Sequence, residues 1–147
     1  EDFDKAQSSC GYTPMAREVI DTVHACGLRT ALATNPIFPA MATERRIAWA
    51  GLSTSDFELY TTYENSRFCK PNLDYYRDVM QKMGVCPEEC LMVGNDVAED
   101  MIAEQLGARV FLLTDCLLNS KGADISAYPQ GGFRELIDFI KNLNQDQ

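Results

Sequence analysis

At 147 residues, with 46% hydrophobic and 24% charged side chains, the chain has the composition of one globular domain, neither disordered nor fibrous. Its 22 acidic against 13 basic residues leave a formal charge of −9, which removes any counterion-release attraction to phosphate backbones and excludes nucleic acid as the expected partner. No apolar run approaches the roughly 20 residues a membrane span needs.

The elements follow from alternating periodicities. Thr13-Pro14 reads as a cap followed by proline at the first helical position, and Met15, Val19, Ile20 and Val23 recur at helical spacing as far as Gly27. Residues 28–33 are a short apolar run, predicted as a buried strand. A helix over about 40–50 stops at Gly51, and a second strand covers 57–61, with a polar loop over 62–69. Pro71 opens a third helix through Tyr75, Tyr76, Val79, Met80 and Met83, ended by Gly84. Residues 90–93 form the third strand and 98–106 a helix closed by Gly107. Arg109–Leu113 is the fourth and most apolar strand. A polar loop with Asn119, Lys121 and Gly122 leads past Pro129 and Gly131-Gly132. The last helix carries Phe133, Leu136, Ile137, Ile140 and Leu143 on one stripe.

Strands that are apolar throughout are buried on both faces, and separating them by helices implies βαβ units with a parallel sheet. The fold class is α/β. The six cysteines include no paired CxxC unit and His24 is the only histidine, so free thiols in a reducing, cytoplasmic setting are expected rather than zinc. His24, Trp49, Tyr75 and Tyr76 read as structural and packing residues.

In open parallel sheets ligands bind beyond the carboxyl ends of the strands. Those ends carry Thr34-Asn35-Pro36, then Lys70-Pro71-Asn72, then Gly94-Asn95-Asp96 with Asp100 one turn on, then Thr114-Asp115. A hydroxyl, an ammonium and carboxylates converging on one rim suit a phosphate held against a divalent cation. Lys70 and Thr34 supply charge and a donor for phosphoryl oxygens, and Asp96 is a hard oxygen ligand for Mg2+. Gly94 is expected to let the chain turn sharply at the strand end. Each group also has a plainer use: a turn at Thr34-Asn35-Pro36, a loop lysine, and carboxylates favouring a helix N-terminus.

The order Thr34-Asn35, Lys70-Pro71, then Leu91-Met92-Val93-Gly94-Asn95-Asp96-Val97-Ala98-Glu99-Asp100 resembles the second, third and fourth motifs of the haloacid dehalogenase-like (HAD) hydrolase superfamily, over about residues 13–115. The resemblance implies a Rossmann-like open parallel sheet flanked by helices, and a Mg2+-dependent phosphatase acting on a small phosphorylated metabolite through an aspartyl-phosphate. It implies that Thr34 hydrogen-bonds a phosphoryl oxygen with Asn35 beside it. Lys70 would neutralise charge on nucleophile and phosphoryl group, and Asp96 would bind Mg2+. Asp100 would either support the metal through water or orient Lys70. Asn95 stands where many members have an acidic residue, which leaves the sharing of the metal among positions 95, 96 and 100 open.

The chain departs from the family at its front. The chemistry begins with Asp-x-Asp at the end of an apolar strand, and Asp2-Phe3-Asp4 has no strand before it and Lys5-Ala6 after it. Asp2 is therefore not expected to be the nucleophile. A sheet lacking its middle strand strands backbone groups that cost about 1–3 kcal/mol each when buried unpaired. The expectation is a single α/β domain over 1–147, the C-terminal part of a HAD-type core without a cap. It would be completed by a missing N-terminal segment of the same protein and inactive alone. The alternatives are a non-catalytic phosphate-binding or regulatory module and, within the superfamily, a dehalogenase or phosphomutase. A receiver-type or flavodoxin-like domain matches the order of polar residues less well.

Overall fold

The computed structural model describes residues 13–143, and the chain divides between Ser66 and Arg67 into two compact units. Asp2, Asp4 and Cys10 lie outside the described residues.

The first unit contains α1 (Met15–Ala25), β1 (Ala31–Leu32), α2 (Ala40–Trp49) and β2 (Leu59–Tyr60). β1 and β2 pair in parallel, Ala31 opposite Leu59 and Leu32 opposite Tyr60. α1 begins at Met15, so Pro14 stands at the cap position rather than the first helical one, and the Thr13 hydroxyl oxygen before it accepts from Met15 N at 3.3 Å. Both strands are shorter than their apolar runs, because β1 pairs only with β2 among the described residues. An ion pair ties α1 to a short 3-10 helix, Thr54–Asp56: the Arg17 guanidinium forks onto Asp56 at 2.6 and 2.9 Å. Those bonds, with that from Ser53 N, hold the Asp56 carboxyl down at about 2.

The second unit contains α3 (Leu73–Met83), β3 (Leu91–Gly94), α4 (Val97–Asp100), β4 (Arg109–Leu113), β5 (Gln130–Gly131) and α5 (Phe133–Leu143). The sheet order is β3-β4-β5, all parallel, with Leu91 opposite Arg109 and Leu112 opposite Gln130. The α/β class and the open parallel arrangement are as expected. Only β4 is sunk as its sequence promises: Val110, Phe111 and Leu112 are at most 4% exposed, whereas β3 is half-buried throughout. The reason is position, since among the described residues β4 has a strand on each side and β3 on one. Tyr75 and Met101 complete the core with the apolar stripe of α5, Leu136, Ile137 and Ile140. The Phe139 ring lies 5.2 Å from that of Phe111.

Three local expectations are corrected. Pro71, joined to Lys70 by a cis peptide bond, precedes α3 rather than opening it. Asn72 is the cap, its side chain accepting from Asp74 N at 2.8 Å. The helix predicted over 98–106 is a single α-helical turn that tightens into a 3-10 helix, Met101–Leu106, before Gly107. Gly107 and Gly84 end their helices with φ of 101° and 68°, a conformation costly for any residue with a Cβ. β5 falls in what reads as loop.

Among the described residues Cys69, Cys86, Cys90 and Cys116 are in no disulfide, and no helix is long and apolar enough to cross a membrane.

Candidate active site

The carboxyl end of β3 is built around Asp100. This residue is 3% exposed, and its two oxygens have separate tasks. Oδ1 accepts from Lys70 Nζ at 2.6 Å, and Oδ2 accepts from Asp96 N at 3.1 Å. The side chains of Lys70 and Asp100 are 9% and 4% exposed, so the pair is removed from water. Such a pair owes its existence to good geometry and to the extra hydrogen bond on the second oxygen, since desolvation otherwise cancels most of the Coulomb gain.

Gly94 makes room for it. Its backbone is not left-handed, so the turn-forming role read from the sequence is not what the position requires. A Cβ on Gly94 would overlap Cβ, Cγ and Oδ2 of Asp100. The glycine is needed because the carboxylate lies directly against the strand end.

Asp96 begins α4. Its Oδ1 accepts from Ala98 N and Glu99 N, both at 3.0 Å, satisfying two of the orphan donors of the first turn. This is the plainer use foreseen for a carboxylate there, and it leaves Oδ2 outside the cap. Asn95 faces elsewhere: its Nδ2 donates to the Cys116 carbonyl at 2.8 Å, and its own carbonyl accepts from Leu118 N at 2.8 Å. Val97 N donates to the Leu118 carbonyl at 3.0 Å. The loop after β4 is thereby laced to residues 95–97. Asp115 is also occupied, accepting from Phe133 N at the start of α5 at 3.1 Å.

Among the described residues no group of three His, Cys, Asp or Glu side chains is assembled for a metal. Mg2+ does not demand one, because it commonly takes one or two carboxylates and fills its octahedron with water and substrate oxygens. Asp96, with one oxygen fixed by the cap, fits that style of site. Asp100, with Lys70 on one oxygen and a backbone N–H on the other, is the lysine's partner.

Thr34 and Asn35 lie in the first unit, immediately beyond β1. The buried Thr61 hydroxyl donates to the Thr34 carbonyl at 2.5 Å, and Asn35 O accepts from Ile37 N at 2.9 Å. The polar loop after β2 holds this segment: Glu64 Oε2 accepts from Ala40 N at 2.9 Å, supplying the cap that Pro39 cannot, and Tyr63 N donates to the Phe38 carbonyl at 2.9 Å. Lys70, Asp96 and Asp100 are thus brought together in the second unit, and the Thr34-Asn35 segment is braced in the first. The link between Lys70 and the motif around Gly94 had a signal in the sequence only through the family resemblance, since 30 residues separate the partners. The loop clamp on Asn95 had none.

Comparison with known proteins gives the family. Residues 7–107 match the family model of haloacid dehalogenase-like hydrolases. A glyceraldehyde 3-phosphate phosphatase of Methanocaldococcus jannaschii is 31% identical over 96 residues, 61% of this chain and 40% of the relative, so the chain spans well under half of that protein's length. Among solved structures, a putative beta-phosphoglucomutase from Thermotoga maritima matches with a TM-score of 0.73 at 17% identity, over 95% of this chain and 65% of that one. The L-2-haloacid dehalogenase of Xanthobacter autotrophicus matches with a TM-score of 0.70 at 18% identity, over 88% and 61%. Likenesses this distant in sequence establish the fold and not the reaction. With the family model covering most of its length, the chain belongs to the haloacid dehalogenase-like hydrolases.

Proposed function

We propose that the protein containing this chain is a Mg2+-dependent phosphatase of small phosphorylated metabolites, acting through an aspartyl-phosphate, in a reducing cytoplasmic setting. The observation that carries the reading is the buried Lys70–Asp100 pair set beside Asp96. Phosphoryl transfer asks for positive charge and donors fixed around the peripheral oxygens before reaction begins. Lys70, held by Asp100, presents such a charge without reorganising. In the proposal Asp96, with Asp100 behind it, holds the Mg2+. That ion supplies charge neutralisation at the phosphoryl oxygens. A metal carboxylate favours phosphoryl transfer over dehalogenation, which needs no metal.

Residues 13–143 contain no Asp-x-Asp sequence. We assign the nucleophile to a further strand of the same protein, as part of one α/β core with residues 1–147. The edges of β1 and β3 that carry no strand among the described residues support this. The same lack of Asp-x-Asp is what would favour the second reading, a phosphate-binding module without catalysis. The encoded full-length protein decides between them. It is expected to release phosphate from small phosphate esters in Mg2+ and to stop in EDTA. Lys70→Ala and Asp96→Ala are each expected to lower kcat/KM by about a hundredfold or more, the usual cost of removing one charge-stabilising group. Activity indifferent to EDTA, or retained in both variants, overturns the phosphatase reading.

A further inference from the structure

Tyr76 has no part in the chemistry above, yet it is among the most enclosed side chains of the second unit, 2% exposed on the inner face of α3. Its ring packs edge-on against Tyr75, with centroids 5.1 Å apart. Its hydroxyl donates to the carbonyl of Glu99, the residue before Asp100. That carbonyl sits where the chain passes from the single turn of α4 into the 3-10 helix Met101–Leu106. A junction of this kind has poorer internal hydrogen bonding than a continuous α-helix, so an outside donor has most influence on its geometry there. The same helix, α3, begins just after Lys70-Pro71-Asn72. α3 therefore runs directly from the lysine and, through Tyr76, reaches back to the backbone that carries its carboxylate partner.

We propose that Tyr76 is a positioning residue for the Lys70–Asp100 pair: its hydroxyl, given to the Glu99 carbonyl, sets the register in which Asp100 meets both Lys70 and Asp96 N. Burial, and then the charge of Asp100, push the phenol well above its ordinary range, so the group is a permanent donor. Packing alone does not require the hydroxyl, since phenylalanine would fill the same space.

That the pair serves phosphoryl transfer is the reading proposed above; the positioning does not depend on it, and the test has an arm for each. In Tyr76→Phe, amide hydrogen exchange of the full-length protein is expected to speed up about tenfold or more at Asp96 and Asp100. The Asp96 amide donates to Asp100 Oδ2 and that of Asp100 to the Asp96 carbonyl. The amide of Leu112 in β4, which donates to the Pro129 carbonyl, is expected to stay within about twofold. In the active enzyme, kcat is expected to fall about tenfold with KM within about twofold, and the same substitution is expected to change nothing further in a Lys70→Ala background. Unchanged exchange at Asp96 and Asp100 overturns the proposal whether or not the protein is a phosphatase. Equal acceleration at Leu112, or an undiminished effect in the Lys70→Ala background, shows a general packing role and overturns it as well. Should Tyr76→Phe fail to fold, a ring-fluorinated tyrosine at position 76 strengthens the donor while keeping the shape. It is then expected to slow the same two amides, and no change in them overturns the proposal.

Discussion

Gly94→Ala is expected to destabilise the second unit and to abolish the proposed activity, although it adds only one methyl group. The added Cβ would occupy space filled by Cβ, Cγ and Oδ2 of Asp100. Those atoms belong to a side chain with no slack. Oδ2 is held by Asp96 N and Oδ1 by Lys70, and the residue is 3% exposed. Either the strand end moves or the carboxylate is driven off both partners. Overpacking of this kind costs about 1–3 kcal/mol, and displacing the carboxylate adds the loss of charge-assisted hydrogen bonds at about 1.5–3 kcal/mol each. Thermal unfolding of the variant should show a drop of about 10 °C or more, taking about 2–4 °C per kcal/mol for a chain of this size. Under the proposed function, phosphate release by the full-length protein should fall by at least a hundredfold, because the lysine loses the group that aims it. A Gly94→Ala protein of ordinary stability and activity would mean that Asp100 does not lie where it is described.

Lys70→Met is expected to be destabilising by about 3–5 kcal/mol, the usual result of removing one member of a buried ion pair. Methionine keeps much of the stem, so lost packing is small. What remains is Asp100 with Oδ2 on Asp96 N and no counter-charge. The double variant Lys70→Met/Asp100→Leu is expected to recover most of the stability and none of the activity, since replacing both members of a buried pair by apolar groups is often neutral. Urea unfolding of the two single variants and the double one gives the coupling energy directly. Additive losses in the double variant would contradict the pairing.

How much of this was legible in the sequence depended on whether the signal was local. β4 and α5 were read well, because an unbroken apolar strand and a single apolar stripe reflect burial that these elements do attain. β1 and β2 were overread: their runs are apolar enough for five or six residues, but strand pairing needs a partner on the right edge, which no local pattern contains. β5 escaped because Gln130-Gly131 has neither β-branching nor alternation. The 3-10 helices at Thr54–Asp56 and Pro87–Glu89 carry a local signal. Ser53 with Asp56, and Cys86 with Glu89, have the spacing of a capping box.

At the site, the residue types at the strand ends were readable, and so was the cap that Asp96 supplies. The physical need for Gly94 was not, because it comes from a side chain six positions away pressed against the backbone. Nor was the clamp that turns the Asn95 amide toward Cys116, a contact across 21 residues of chain.

The central claim is that the paired lysine at position 70 and the aspartate at position 96 serve one phosphoryl group, the aspartate through Mg2+. The direct test is a crystal structure of the full-length protein with Mg2+ and inorganic phosphate. The account predicts one phosphate with Lys70 Nζ about 3 Å from its oxygens, and Mg2+ shared between that phosphate and Asp96. Phosphate and Mg2+ bound together without contact to Lys70 and Asp96 would contradict it.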